Sequence, residues 1–215
     1  MSLQIISTTL GIVATNAYLI ADTTTKRAVL IDPVDEPKTL LKLAADNGYT
    51  IALVLATHAH FDHILASKGV VEATNAPFRI HAEAAPYLAN LPETGLRFVG
   101  ERYPEAATPT SHIADNEIIA LDGIRLQALY TPGHAPGHLG FYMQDHNLVF
   151  SGDALFAGSI GRTDLEGGSV KVLMESIKTR LLTLPGDTRV LPGHMNDTTI
   201  GHERQHNPYI QQYIG

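Results

Sequence analysis

The sequence has no cysteine and no tryptophan among its 215 residues. Without cysteine there can be no disulfide, thiolate nucleophile, iron–sulfur cluster or Cys-ligated zinc, whatever the fold. Nothing therefore points to an oxidising compartment. Met1-Ser2-Leu3-Gln4 lacks a basic segment and leads into no long apolar run, so no signal peptide is expected. No stretch approaches the ~18 apolar residues that a membrane span needs. Cations are also scarce: 15 Lys and Arg stand against 22 Asp and Glu, for a net charge of −7 with no basic stripe. Phosphate backbones are held by clustered cations, so nucleic acid is not an expected partner. These absences together predict a cytoplasmic protein, away from membranes, whose partner is a small molecule.

What the chain does have is the composition of a folded domain. Hydrophobic residues make up 44% and charged residues 17%, too apolar for long disordered tails. The length suits one domain over residues 1–215 with a sizeable core. Histidine is the unusual count, at 11 against 6 phenylalanines. It is both the commonest metal ligand and the near-neutral proton carrier.

Hydrophobic patterning places these histidines. Residues 3–7, 13–21 and 28–31 read as strands, the last ending at Asp32-Pro33 because proline cannot continue a ladder. Pro37 opens a helix with Leu40, Leu41 and Ala44 on one face, closed by Asn47-Gly48. Residues 51–56 form a continuous apolar run, the pattern of a strand covered on both faces. Residues 64–74 and 82–90 read as helices and 78–81 as a strand, whereas 91–111 lack a period and read as a long connection. Then come a hairpin over 118–130, a strand pair over 138–150, and a glycine-containing loop over 154–168. A helix capped by Ser169 runs to about Thr183, followed by a strand at 189–191 and a terminal helix over 201–212. Each half carries strands and helices, which predicts two sheets packed as a four-layer α/β sandwich.

The densest signal is Thr57-His58-Ala59-His60-Phe61-Asp62-His63, directly after the apolar run. His58 and His60 are two apart and point to one side of an extended chain, while Asp62 and His63 lie past the bend. His134 in Thr131-Pro-Gly-His134, Asp153 in Ser151-Gly-Asp153 and His194 in Leu191-Pro-Gly-His194 also follow strands. Strand exits hold ligands on rigid supports. The seven residues suffice for two divalent metals, one on His58, His60 and His134 and the other on Asp62, His63 and His194, with Asp153 able to bridge. Imidazole with carboxylate suits zinc first, with iron or manganese as alternatives. His138, four residues beyond His134, is either a support for the ligands or purely structural. His81, His112, His146, His202 and His206 are expected to be structural or exposed.

These motifs resemble the metallo-β-lactamase fold superfamily over essentially the whole chain. The stretches Gly158–Gly168 and Thr198–Pro208 are most similar to the short glyoxalase II-like (hydroxyacylglutathione hydrolase-like) hydrolases. The resemblance implies an αβ/βα sandwich, the same seven metal ligands, and a role for Asp32 in orienting a ligand histidine. It implies a thioester hydrolase acting on S-lactoylglutathione-type substrates through a metal-bridging hydroxide, with Asp62 or Asp153 handling the proton. The sequence departs from the pattern at Ile64–Ser67 and Met195–Asp197. Arg204 is the only Arg or Lys after His194, so a basic C-terminal region like that with which longer glyoxalase II chains hold glutathione is not expected. Two other activities fit the same resemblance: a glutathione persulfide dioxygenase with one iron on His58, His134 and Asp153, and a lactonase. A β-lactamase is not expected, because an aspartate stands where a second-site cysteine would. Arg162 is expected to brace its loop through Asp164 or Glu166 in preference to meeting substrate.

Overall fold

The structure is a computed structural model that describes residues 2–100 and 102–214. It comprises two compact units, Met1–Ile113 with Ala120–Ile124, and Ala114–Ile119 with Arg125–Gly215.

The first sheet is built from β1 (Leu3–Leu10), β2 (Thr15–Asp22), β3 (Arg27–Ile31), β4 (Thr50–Leu55), β5 (Phe78–His81) and β6 (Ser111–Ile113), in that spatial order. Between them lie α1 (Pro37–Asp46), α2 (Phe61–Ile64), α3 (Ser67–Thr74), α4 (Ala85–Leu88) and α5 (Leu91–Val99). β1 to β3 are antiparallel, and β3 to β6 run parallel. The start of β2 and the ends of β3 and β4 therefore share one edge of the sheet. Leu19, Leu30, Val54, Phe78 and Ile80 form the core with Leu40 and Ala44 of α1 and Val70 of α3. Gly69 lets α3 close on α1, since a Cβ there would lie 2.8 Å from that of Pro37.

The second sheet contains β7 (Ile118–Leu121), β8 (Ile124–Tyr130), β9 (Leu139–Met143), β10 (Leu148–Gly152), β13 (Arg189–Pro192) and β14 (Thr198–Thr199), in the order β14-β13-β10-β9-β8-β7. The hairpin β11 (Leu155–Phe156) and β12 (Ser159–Ile160) stands apart from it, and the helices are α6 (Val170–Ser176), α7 (Ile200–His206) and α8 (Pro208–Ile214). β9 is antiparallel to both β8 and β10, while β13 is parallel to β10. Hence β8, β10 and β13 all run the same way and end at one edge. Val149, Leu155, Leu173, Ile177, Leu181, Val190 and Ile210 belong to this unit's core.

Several expectations are corrected. Residues 91–99 are helical, not connection: Pro92 sits in the first turn of α5, where its missing N–H costs nothing, and left-handed Gly100 ends it. The helix after Ser169 is α-helical only to Ser176. It then widens into a π-turn over Ile177–Leu181, which keeps Ile177 and Leu181 buried. The predicted terminal helix is two helices, broken at Asn207-Pro208, and the loop over 154–168 contains the β11–β12 hairpin. The second strand starts at Thr15, after a turn at 11–14. Among the described residues no helix is long and apolar enough to cross a membrane.

Candidate metal centre

In the first unit, the parallel pairing that sets Ile31 beside Leu55 brings Asp32 against Thr57. Asp32 is buried with a left-handed φ of 54°. Its Oδ1 accepts from the Thr57 amide at 2.7 Å and its Oδ2 from the Thr57 hydroxyl at 2.9 Å. Oδ2 also lies 2.8 Å from His63 Nδ1. Since the Thr57 hydroxyl proton is committed to Asp32, its oxygen accepts from His58 Nδ1, 3.0 Å away. Both rings therefore carry their proton on Nδ1 and keep a lone pair on Nε2.

The chain bends at His60 and enters α2 at Phe61. The first helical turn carries Asp62 and His63, and the His63 ring lies beside that of His58, with centroids 4.2 Å apart. His58 Nε2 lies 3.0 Å from His60 Nδ1, and His63 Nε2 lies 3.4 Å from Asp62 Oδ2. Thr15, at the root of the β1–β2 turn, donates its hydroxyl to Asp62 Oδ2 at 2.7 Å. Sequence reasoning missed Thr15. The edge shared by β2, β3 and β4 puts it there, and no local motif marks it.

The second unit brings its three candidates together. The ends of β10 and β13 are joined by Gly193 N donating to Gly152 O at 2.9 Å, so Asp153 and His194 emerge side by side. Asp153 Oδ2 lies 3.5 Å from His134 Nε2 and 3.4 Å from His194 Nε2. His134 Nδ1 donates to the Arg162 carbonyl at 2.8 Å, which leaves Nε2 unprotonated and turned towards Asp153. Gly133 makes the preceding step possible: its φ is +120°, and a Cβ there would sit 2.2 Å from the Leu173 nitrogen. His138 is fully buried. Its Nε2 accepts from the Asp153 amide at 3.0 Å and its Nδ1 faces the Thr131 hydroxyl at 2.8 Å. It thus supports the Asp153 backbone.

The donor chemistry fits a metal. Ligand atoms about 2.0–2.1 Å from a common tetrahedral ion lie about 3.3–3.4 Å from one another. The 3.4–3.5 Å spacings in both units match that edge and are long for hydrogen bonds. Each unit therefore carries a candidate His/Asp metal cluster: His58, His60, Asp62 and His63 in the first, and His134, Asp153 and His194 in the second.

Other flagged residues are employed elsewhere. Arg162 forms a two-point pair with Asp164, at 2.7 and 2.8 Å, in the open. That guanidinium, followed by the backbone, lowers the Asp164 carboxyl to about 2. His112, His146, His202 and His206 are exposed, and His81 is half-buried.

Comparison with known proteins covers the whole arrangement. The metallo-β-lactamase superfamily model matches residues 10–194. A probable metallo-hydrolase YqgX of Bacillus subtilis is 37% identical, with 94% of this chain and 95% of the relative covered. Hydroxyacylglutathione hydrolase GloC of Haemophilus influenzae is 36% identical, with 86% and 88% covered. Among solved structures, the BLEG-1 B3 metallo-β-lactamase superposes with a TM-score of 0.91 at 34% identity, covering 96% and 99%. TTHA1623 in a di-iron-bound form gives 0.86 at 41%, covering 95% and 99%. ETHE1 from Myxococcus xanthus gives 0.80 at 30%, covering 95% and 83%. The chain belongs to the metallo-β-lactamase superfamily of metallo-hydrolases and has its αβ/βα sandwich fold.

Proposed function

We propose that this protein is a binuclear metal-dependent hydrolase of acyl-glutathione-type thioesters. His58, His60 and His134 form one donor set and Asp62, His63 and His194 the other, with Asp153 shared. The observation that carries the reading is the fixed tautomer of three of these histidines. His58, His63 and His134 each have Nδ1 tied to an acceptor and present Nε2 as a lone-pair donor. A purely structural zinc site would be closed with four ligands; seven donors that include two carboxylates exceed that need. The likeness to GloC supports the thioester class.

Two divalent ions, zinc first and iron or manganese as alternatives, would supply an activated water and a polarised carbonyl. The chain's residues do the rest. The proton released as water adds to the carbonyl carbon goes to a carboxylate oxygen of Asp62 or Asp153. Thr15 holds Asp62 through Oδ2, and His138 holds Asp153 through its amide. The acyl C–S bond then breaks, the aspartate returns its proton to the leaving sulfur to give a thiol, and the new carboxylic acid ionises to solvent.

A second reading, a glutathione persulfide dioxygenase with one iron on His58, His134 and Asp153, draws support for the identity of the metal alone from TTHA1623, which was solved with two irons. One assay separates the two. Thiol release from S-lactoylglutathione is followed with a thiol-reactive dye, to which a chain without cysteine adds no background. The expected result is kcat/KM at or above ~10⁴ M⁻¹s⁻¹, with two metals per chain. Metal-replete protein that releases no thiol but consumes oxygen with glutathione persulfide would establish the second reading instead. Turnover of a lactone panel or of nitrocefin alone would move the substrate to a cyclic ester or a β-lactam.

A further inference from the structure

Resting on that reading for the metal-binding role of His134, Asp153 and His194, we propose that Glu203 is a positioning residue for this half of the centre. Glu203 lies in α7 and is fully buried, yet it belongs to no ligand set. Its carboxylate is an acceptor for three donors. Oε2 receives the Gly158 amide at 2.9 Å and the Asn207 side-chain amide at 2.8 Å, and Oε1 receives the Thr198 hydroxyl at 2.6 Å. Burying a carboxylate is unfavourable unless such donors satisfy it.

The three donors come from places that matter to the ligands. Gly158 is the turn of the β11–β12 hairpin, the segment that leaves Asp153. Asn207 reinforces this grip by also donating to the Ser159 carbonyl at 3.0 Å. The hairpin returns through Gly161 to Arg162, whose carbonyl fixes the His134 ring. Gly161 is pressed against this part of the site: a Cβ there would lie 1.9 Å from Asp153 O and 3.0 Å from His134 Nδ1. Thr198 is in β14, which pairs with β13 through Val190 and Thr198, and β13 leads into His194. One buried carboxylate therefore joins the loops that follow Asp153 and His194, and the first of these loops carries the acceptor that orients His134.

The same contacts could merely fasten the C-terminal helices, so the test must separate anchoring from positioning. Glu203→Leu removes every acceptor while filling the space. Glu203→Gln keeps an oxygen for Gly158 and Asn207, and the Thr198 hydroxyl can turn to accept from the new amide. Ile210→Ala opens the core under α8, where Ile210 is buried, and touches neither loop's hydrogen bonds. Thr198→Val, which removes one of the three bonds, serves if Glu203→Leu does not fold. Zinc dissociation constants are measured on each full-length chain by competition with a chromophoric chelator, alongside melting temperatures. The His134 Nδ1–H signal is followed by NMR in the metal-free protein.

Glu203→Leu is expected to weaken zinc binding about tenfold and to broaden the His134 signal, as loss of a remote ligand support does. Glu203→Gln should restore affinity to within about twofold. Ile210→Ala should lower the melting temperature and leave zinc binding unchanged. Thr198→Val should weaken zinc binding less than Glu203→Leu, in the same direction. The proposal is overturned if Glu203→Leu, or in its place Thr198→Val, binds zinc as the wild type does, or if zinc affinity simply tracks melting temperature across the set. A wild-type chain that binds no zinc, iron or manganese would bring down the metal reading itself, and the positioning role with it.

Discussion

Asp32 Oδ2 and His63 Nδ1 lie 2.8 Å apart, with the two side chains only 2% and 0% exposed. The same oxygen receives the Thr57 hydroxyl, whose own oxygen faces His58 Nδ1. One buried carboxylate thus sets the tautomer of two histidines, one in each of the two proposed donor sets. Its left-handed backbone is the cost of reaching both from the end of β3, and aspartate tolerates that region better than most residues.

Asp32→Asn should therefore weaken the metal centre without unfolding the chain. Asparagine accepts the same backbone conformation, so strain is not added. Its amide must place an N–H against either a donor of Thr57 or the His63 Nδ1–H, and one ligand loses its fixed orientation. Metal affinity should fall about 10–100-fold, measured as zinc retained after dialysis against a graded chelator, with the far-ultraviolet circular dichroism unchanged. Retention at the wild-type level would mean that Asp32 is only a turn residue before Pro33.

Gly133→Ala should be far more damaging than Gly158→Ala. Both glycines have positive φ, at +120° and +69°, but only Gly133 has backbone in the way, with Leu173 nitrogen 2.2 Å from the added carbon. The Gly133 carbonyl is also committed, accepting the Ser169 amide at 2.8 Å, so the segment cannot shift freely. The expected loss is more than about 3 kcal/mol at Gly133 and about 1–2 kcal/mol at Gly158. Urea unfolding of both variants checks the ordering, and equal losses would contradict the close approach of this turn to α6.

Much of this was legible in the sequence because the informative residues are local. The apolar run before Thr57 and the spacing of His58, His60, Asp62 and His63 are readable without any tertiary contact. The Pro-Gly steps before His134 and His194 are equally local. Asp32 and His138 were flagged as supports, but Thr15, Glu203 and the Arg162 carbonyl were not legible, because they act at long range or through the backbone. Thr15 meets Asp62 across 47 positions and Gly158 meets Glu203 across 45. Arg162 was flagged for its side chain, but its carbonyl orients His134. Helix α5 was hidden by Pro92, Thr94 and Gly95, which read as loop residues until Leu91 and Gly95 are seen to be buried.

Asp22 gives the fold an acid-sensitive contact. Its carboxyl is held below the usual carboxylate range by the backbone amide of Thr25, then those of Thr24 and Gly123. A carboxyl whose folded pKa is depressed binds more protons in the unfolded chain. Its contribution is thus complete above the unfolded value near 3.8 and is lost as pH falls through the lower folded value. Asp22→Asn should lower the urea midpoint at neutral pH. The gap from wild type should stay constant down to about pH 5 and narrow below about pH 4. A gap that widens in acid would reverse the sign and show that Asp22 is not the group responsible.

Arg204 tests how the substrate is held. It lies in α7, beyond His194, and under the proposed thioester activity it is a candidate to meet a glutathione carboxylate. Its Nη2 instead donates to the Leu182 and Leu184 carbonyls at 2.6 and 3.0 Å, tying α7 to the end of the preceding helix. A guanidinium committed to two carbonyls is a structural tie. Arg204→Ala should therefore lower stability by about 1 kcal/mol while leaving KM for S-lactoylglutathione within about twofold of wild type. Loss of a carboxylate-binding cation would instead raise KM at least tenfold with kcat unchanged, the signature of lost ground-state binding. Steady-state kinetics on both chains, at the same metal content, decides between the two roles.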